Sequence, residues 1–253
     1  MSKKLLKIFI LVALALAIPA MSYAADTEAS VIKVQGKVDV IDAKGILREQ
    51  ARVGTKLNAG DTIRTAENGV AAVRSKAGDT FVLDAVAAAR IRHEKNTFEQ
   101  LVGKVLYLFT PGLRIERTVK IQTAVIGIRG TTFLLNTESD KAEIGLKEGM
   151  LDISSTQDGF NIYQRKEADD FEAYKRRDVE GVKDMQKEFD KYRTQVQEEF
   201  IAFKKTLQLN ANQSLSISGD KAVISALDEE TLTTIRRLQQ FISTTDNAAV
   251  ERQ

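Results

Sequence analysis

The side chains able to do acid–base or metal chemistry are few, and their spacing does not suit it. His93 is the single histidine, in the run Arg90-Ile91-Arg92-His93-Glu94-Lys95, and there is no cysteine. One imidazole with no thiol cannot build a histidine triad, a metal cage or a histidine acid–base couple. A run of mixed charge reads as a solvated turn. The acid pairs Asp169/Asp170 and Glu229/Glu230 are neighbours in sequence, so on a helix they point to different faces and cannot converge on one atom; charge at a helix N-terminus accounts for both. The chain has no Gly-Lys-Ser/Thr phosphate loop, no Gly-x-Ser-x-Gly elbow and no helix-loop-helix calcium loop. The expectation is a protein that is not an enzyme, with no catalytic or metal-binding residues and no cofactor.

The stretch the chain is organised around is Thr123 to Leu135, Thr-Ala-Val-Ile-Gly-Ile-Arg-Gly-Thr-Thr-Phe-Leu-Leu. It is rich in β-branched and aromatic residues and reads as a strand interrupted by Gly127, Arg129 and Gly130. Alternation puts Ile126 and Ile128 on one face and Val125, Gly127 and Arg129 on the other. The glycines leave room for the guanidinium. Arg129 then has two readings: binding an anion or a partner carboxylate, or bonding loop carbonyls as a structural arginine.

This segment resembles the most characteristic motif of the FecR domain family, periplasmic modules named after the ferric-citrate sensor. The resemblance covers roughly Val31 to Ser154. Gly54-Thr55-Lys56-Leu57 leading into Gly60-Asp61-Thr62-Ile63-Arg64-Thr65 is similar to the family's early signature, and Glu148-Gly149-Met150-Leu151-Asp152-Ile153 to its last strand. Within the motif, Gly127, Arg129, Gly130, Thr131 and Phe133 read as fold grammar more than as a site. The resemblance implies protein contacts in the cell envelope, since the family's sensors relay an outer-membrane receptor's state to an inner-membrane-anchored sigma regulator. This chain is expected to depart from the sensors, with no cytoplasmic N-terminal segment, no retained membrane helix, and a charged tail where they carry a receptor-contacting domain. The expectation is a stand-alone soluble partner.

Residues 1–24 read as an export signal. Lys3, Lys4 and Lys7 precede an apolar run from Ile8 to Ile18, Pro19 breaks it, and Ser22-Tyr23-Ala24 offers the small residues a signal peptidase reads. That run is shorter than the roughly 20 residues a bilayer span needs. The expected place is the periplasm, with no stable membrane insertion after cleavage. The chain has 37 Lys plus Arg against 35 Asp plus Glu, and three of those Lys lie in the signal. The mature chain is therefore nearly neutral and lacks the basic excess that nucleic-acid binding requires. Without cysteine its stability must come from burial.

From Val31 to about Gln164 the pattern is β. Val31-Ile32-Lys33-Val34 and Lys37-Val38-Asp39-Val40-Ile41 alternate, with Asp42-Ala43-Lys44-Gly45 as a turn. Ala59-Gly60-Asp61-Thr62-Ile63 recurs as Ala77-Gly78-Asp79-Thr80-Phe81, each a Gly-Asp turn entering a strand. Gly36-Lys37-Val38 recurs as Gly103-Lys104-Val105. The expected fold class is a mainly-β N-terminal domain (residues 25–160), β-roll or β-helix-like or a two-layer sandwich, followed by a C-terminal α-helical region.

The spacing predicts a long charged helix over 165–209. Its apolar pairs Phe171/Tyr174, Val182/Met185, Phe189/Tyr192 and Phe200/Phe203 recur at 3.6 residues per turn. As a helix it would be a rod of about 60 Å. A linker over 210–224, a second helix over 225–243 with Ser225 and Asp228 as a capping box, and a frayed tail over 244–253 complete the expectation. Leu232, Ile235, Leu238 and Ile242 form that second helix's stripe, so the two helices suggest an α-hairpin. The aromatics Phe171, Tyr174, Phe189, Tyr192, Phe200 and Phe203 are the candidate partner-contact stripe; their alternative use is packing against the second helix or the β domain.

Three functions follow as expectations. The first is a non-catalytic periplasmic FecR-domain protein that binds an unknown envelope protein, with self-association through the helices as a further option. The second is a holdase chaperone of the Skp type using the helical arm. The third is a carbohydrate- or peptidoglycan-binding module, poorly supplied with stacking platforms because tryptophan is absent and aromatics are only 6%.

Overall fold

The described residues of the computed structural model are 27–94, 96–110, 116–165 and 198–244. Period-two alternation of Val, Ile, Leu and Phe makes most of them strands, and all 17 described strands join one continuous mixed sheet.

The pairing resolves this sheet into two layers. In the first, the strand order is β4 (Lys56–Asn58), β1 (Thr27–Gln35), β6 (Val70–Ser75), β7 (Thr80–Leu83), β9 (Thr97–Leu108), β11 (Ala124–Glu138), β12 (Lys141–Ser155), β16 (Gln213–Ser218), β17 (Lys221–Ala226), β13 (Phe160–Arg165) and β14 (Glu198–Lys204). The second runs β3 (Leu47–Gln50), β2 (Val38–Ile41), β5 (Thr62–Thr65), β8 (Ala88–Ile91), β9, β10 (Thr118–Lys120), β11, β12 and β15 (Thr206–Asn210). Strands β9, β11 and β12 belong to both layers, each giving one half to either.

Such long strands must bend where they pass from layer to layer, and glycines stand there in left-handed backbone. Gly103, Gly130 and Gly149 have φ of +83°, +59° and +90°. A Cβ on Gly149 would lie 2.5 Å from the carbonyl oxygen of Gly130, and one on Gly103 would lie 2.4 Å from that of Val86. The Arg129–Gly130–Thr131 part of the motif is thus the bend of β11, where its register against β12 shifts.

The inward faces of both layers form one apolar interior. It includes Val31, Val73 and Phe81 from the first layer, and Val40, Ile63 and Ile126 from the second. Phe133, fully buried, stacks on Tyr107 at 5.0 Å between ring centroids. The buried Tyr107 hydroxyl donates to Gln100 Oε1 at 3.2 Å, and burial raises its pKa.

The outer face of the first layer is apolar as well, because Ala72, Val82, Leu106 and Leu134 alternate with the interior residues beside them. A helix, α1 (Glu229–Ser243), covers it with Ile235 and Leu238, both fully buried. Those two side chains together contribute about 3–6 kcal/mol of burial. Arg237 reaches both oxygens of Asp84, at 3.1 and 2.5 Å, and Lys33 Nζ donates to the Phe241 carbonyl at 2.5 Å.

This architecture overturns the expected fold class of a β domain followed by a helical region. Residues 198–209, read as the end of a long helix, are strands β14 and β15, and the expected linker holds β16 and β17. There is no described α-hairpin. The one described helix lies within the span of the expected second helix, starts at Glu229 after an Asp228 cap, and packs its stripe on the sheet. Residues 166–197, including Phe171, Tyr174, Phe189, Tyr192 and the Asp169/Asp170 pair, lie outside the described residues, as does the expected signal segment.

Candidate functional site

Residues 123–135 run from a bend into strand β11, and Ile126 and Ile128 point inward as the alternation requires. Gly127 lies opposite Asp152 on β12, and its missing side chain leaves the outer face open there. Arg129 uses that space: its guanidinium reaches Asp152 Oδ2 at 3.0 Å while its side chain stays 72% exposed. The contact is to a carboxylate of the same chain, neither a bound anion or binding partner's carboxylate nor a loop carbonyl. An exposed pair of this kind contributes about 0–1 kcal/mol. Thr131 and Phe133 are buried and structural.

Around Arg129 the outer face of the second layer is a ladder of paired charges. Arg64 meets Asp39 at 3.4 Å, Arg90 and Arg92 meet Glu99 at 3.4 and 3.1 Å, and Lys120 meets Glu94 at 2.9 Å. Hydrogen bonds from Arg92 and then Lys120 pull the exposed Glu94 carboxyl down to about 2. His93 is exposed in the bend just before Glu94, and Glu229 and Glu230 lie in the first turn of α1. Among the described residues no group of three or more His, Cys, Asp or Glu side chains stands together to hold a metal, and no helix is long and apolar enough to cross a membrane.

Sequence reading missed the buried charges. The recurring Gly-Asp turns each place an aspartate inside, with Gly60 and Gly78 at φ near +90° and +89°. Asp61 pairs with Arg48 from β3 and accepts from the Asn58 amide at 2.8 Å. Asp79 pairs with Arg117 at 2.5 Å and accepts from the Thr110 amide at 3.2 Å. The repeat itself was the available signal, since an aspartate kept after the same turn twice is a side chain with a task. Its arginine partners lie 13 and 38 residues away, at no repeated spacing.

The surface best equipped to bind something is the β14 end. Strand β14 pairs with β13 alone, so one of its edges carries no described partner strand. Phe200, Ile201 and Phe203 are 54%, 52% and 57% exposed. The register against β13 slips at Ile201, which places Phe200 beside Tyr163 and Phe203 beside Asn161, both on the outer face. Phe200 and Tyr163 meet edge-on, centroids 5.5 Å apart, and the Lys221 ammonium lies 5.1 Å from the Tyr163 centroid. Large apolar side chains grouped this way on an edge strand mark an interaction surface. Two members of the expected stripe, Phe200 and Phe203, are therefore brought together, but on a strand.

No family model and no curated protein matches the chain. Two crystal structures of a protein of Parabacteroides distasonis ATCC 8503, provisionally described as an anti-sigma factor, resemble it with a TM-score of 0.43 at 9% identity. Each likeness covers 68% of this chain and 62% of the other, so the chain spans less than two thirds of that protein's length.

Proposed function

We propose that this chain is a non-catalytic, protein-binding module of the cell envelope, of the FecR-domain type, exported to the periplasm, and that it meets its partner at the outer face of β14. The observation that carries the reading is the pair Phe200 and Phe203, two aromatic side chains more than half exposed on one face of β14. Leaving them in water forgoes about 1.5–3 kcal/mol each relative to burial, which a partner's apolar surface recovers. The motif from Val125 to Phe133 supports the family reading, because it lies in strand β11 with Gly130 in left-handed backbone at its bend.

A photo-crosslinking amino acid at Phe203, compared with one at Leu47, tests it in cells. Leu47 is 59% exposed on β3, at the opposite end of the sheet. The expected result is one discrete protein adduct from position 203 that position 47 does not give. Absence of an adduct, or the same adduct from both positions, overturns the reading. Export is checked by the mass of the purified chain, which should begin at Ala25.

A further inference from the structure

The outer face of the second layer presents its charges unevenly. Strand pairing sets Asp39 beside Arg64 and Arg90 beside Glu99, and continues through β10 to Arg129 on β11 and Asp152 on β12, so these six side chains share one face. In each pair the short acid lies against the sheet and the longer arginine reaches over it. The side chains of Asp39, Glu99 and Asp152 are 12%, 28% and 33% exposed, whereas those of Arg64, Arg90 and Arg129 are 55%, 41% and 72% exposed. What this face offers to solvent is therefore guanidinium.

The recessed acids orient these guanidinia. Asp39 meets Nη2 of Arg64, Asp152 meets Nη2 of Arg129, and Arg90 divides its contacts between Thr62 and Glu99. A guanidinium has five N–H donors in a planar fork that matches a carboxylate. Held on strands and steadied from below, each fork has less freedom to lose on binding. Arg64, Arg90 and Arg129 stand on β5, β8 and β11, four strand spacings from first to last. At about 4.8 Å per spacing they spread over roughly 19 Å, the reach of a protein segment and not of one small anion.

With Arg92, Lys120 and Glu94 beside them, five cations (Arg64, Arg90, Arg92, Lys120, Arg129) meet four acids (Asp39, Glu94, Glu99, Asp152) in this set of pairs. An excess of one charge draws a bilayer or a nucleic acid weakly, since both call for clustered basic groups, and the recessed acids repel a dense polyanion. Separate carboxylates can each seat on one outward fork.

We propose that the outer face of the second layer is a docking surface for a carboxylate-rich segment of a partner protein, seated on Arg64, Arg90 and Arg129. The inference does not rest on the β14 reading, whose aromatic side chains belong to the first layer.

Fluorescence anisotropy of a short labelled oligoglutamate added to the purified chain tests it, with oligolysine as the control. Saturable binding of oligoglutamate and none of oligolysine is expected, weakening as salt is raised. Replacing Arg64→Gln, Arg90→Gln and Arg129→Gln together should weaken it at least about tenfold, and Arg129→Gln alone about twofold. Arg129→Lys keeps the charge but loses the fork, and should weaken binding as well. Arg236→Gln, at an arginine 57% exposed on α1, should leave it unchanged. The urea midpoint of each variant should move little, because exposed pairs contribute little to stability. No saturable binding, undiminished binding by the triple variant or by Arg129→Gln, an equal loss with Arg236→Gln, or tighter binding of phosphatidylglycerol vesicles or of oligouridylate overturns the inference. Loss of the adduct from position 203 with oligoglutamate binding intact would instead count against the β14 reading alone.

Discussion

The two Gly-Asp turns share a pattern in sequence and separate in what surrounds them. Asp61 is buried, but its partner Arg48 keeps 27% of its side chain in solvent; Asp79 and Arg117 are 3% and 2% exposed, so that pair lies wholly inside. Arg117 Nη2 is also buried with no hydrogen-bond partner among the described residues. Water screens the first pair and relieves its unmet hydrogen-bonding demand, whereas the second must meet its own desolvation with geometry alone. The same five-residue turn is therefore a surface clamp in one place and a buried ionic joint in the other.

Five variants break or sharpen this contrast. The largest loss is expected from Asp79→Ala, about 3–5 kcal/mol by urea unfolding, because it strands a buried guanidinium. Replacing both partners, Asp79→Leu with Arg117→Met, should restore most of that stability, since the cost lies in the unpaired charge; a double variant as unstable as the single one would contradict this account. Gly130→Val separates backbone strain from charge. A β-branched residue at φ +59° is expected to cost about 3 kcal/mol.

Asp61→Ala should lose less, about 2 kcal/mol, because Arg48 can turn to water and the main loss is the charged hydrogen bonds. Equal losses at Asp61 and Asp79 would abolish the distinction between the turns. The smallest effect is at the exposed end of the series: Asp228→Ala, removing the cap of α1, should cost about 1 kcal/mol.

Asp228 also gives the pH dependence. Burial alone would push its carboxyl up, but the amide and hydroxyl of Thr231 hold it below the ordinary aspartate value. A depressed carboxylate stabilises the fold above its unfolded pKa, near 3.9, and that contribution disappears as pH falls through the folded value. The stability difference between wild type and Asp228→Ala should therefore be present at pH 7 and close at strongly acid pH. A difference unchanged across that range would show that the cap acts without its charge.

Much of the β body was legible. Val31–Val34 and Val38–Ile41 alternate and are strands, Asp42–Gly45 is a turn in which the Asp42 carboxylate accepts from the Lys44 and Ile46 amides, and Thr123–Leu135 holds the strand expected of it. These segments carry their conformation in local residue types. The candidate surface was legible only in part. Phe200 and Phe203 were singled out as contact residues, but their three-residue spacing was read as a helical stripe. The bulge at Ile201 produces the same result in a strand, by inserting one extra residue so that positions three apart share a face. Similarly, Leu215 and Ile217 alternate inward among Ser214, Ser216 and Ser218, yet the serines made the segment read as a linker until β12 supplied a neighbour to pair with.

The sequence by itself determined the strand-forming segments, the glycine turns between them and the amphipathic stripe of α1, because each depends on residues within one or two turns of chain. Tertiary structure alone decided which arginine neutralises which buried aspartate, that β9, β11 and β12 serve two layers, and that residues 198–209 extend the sheet. Each of these depends on a partner strand or charge far along the chain, and period-two and period-3.6 patterns do not encode distant neighbours.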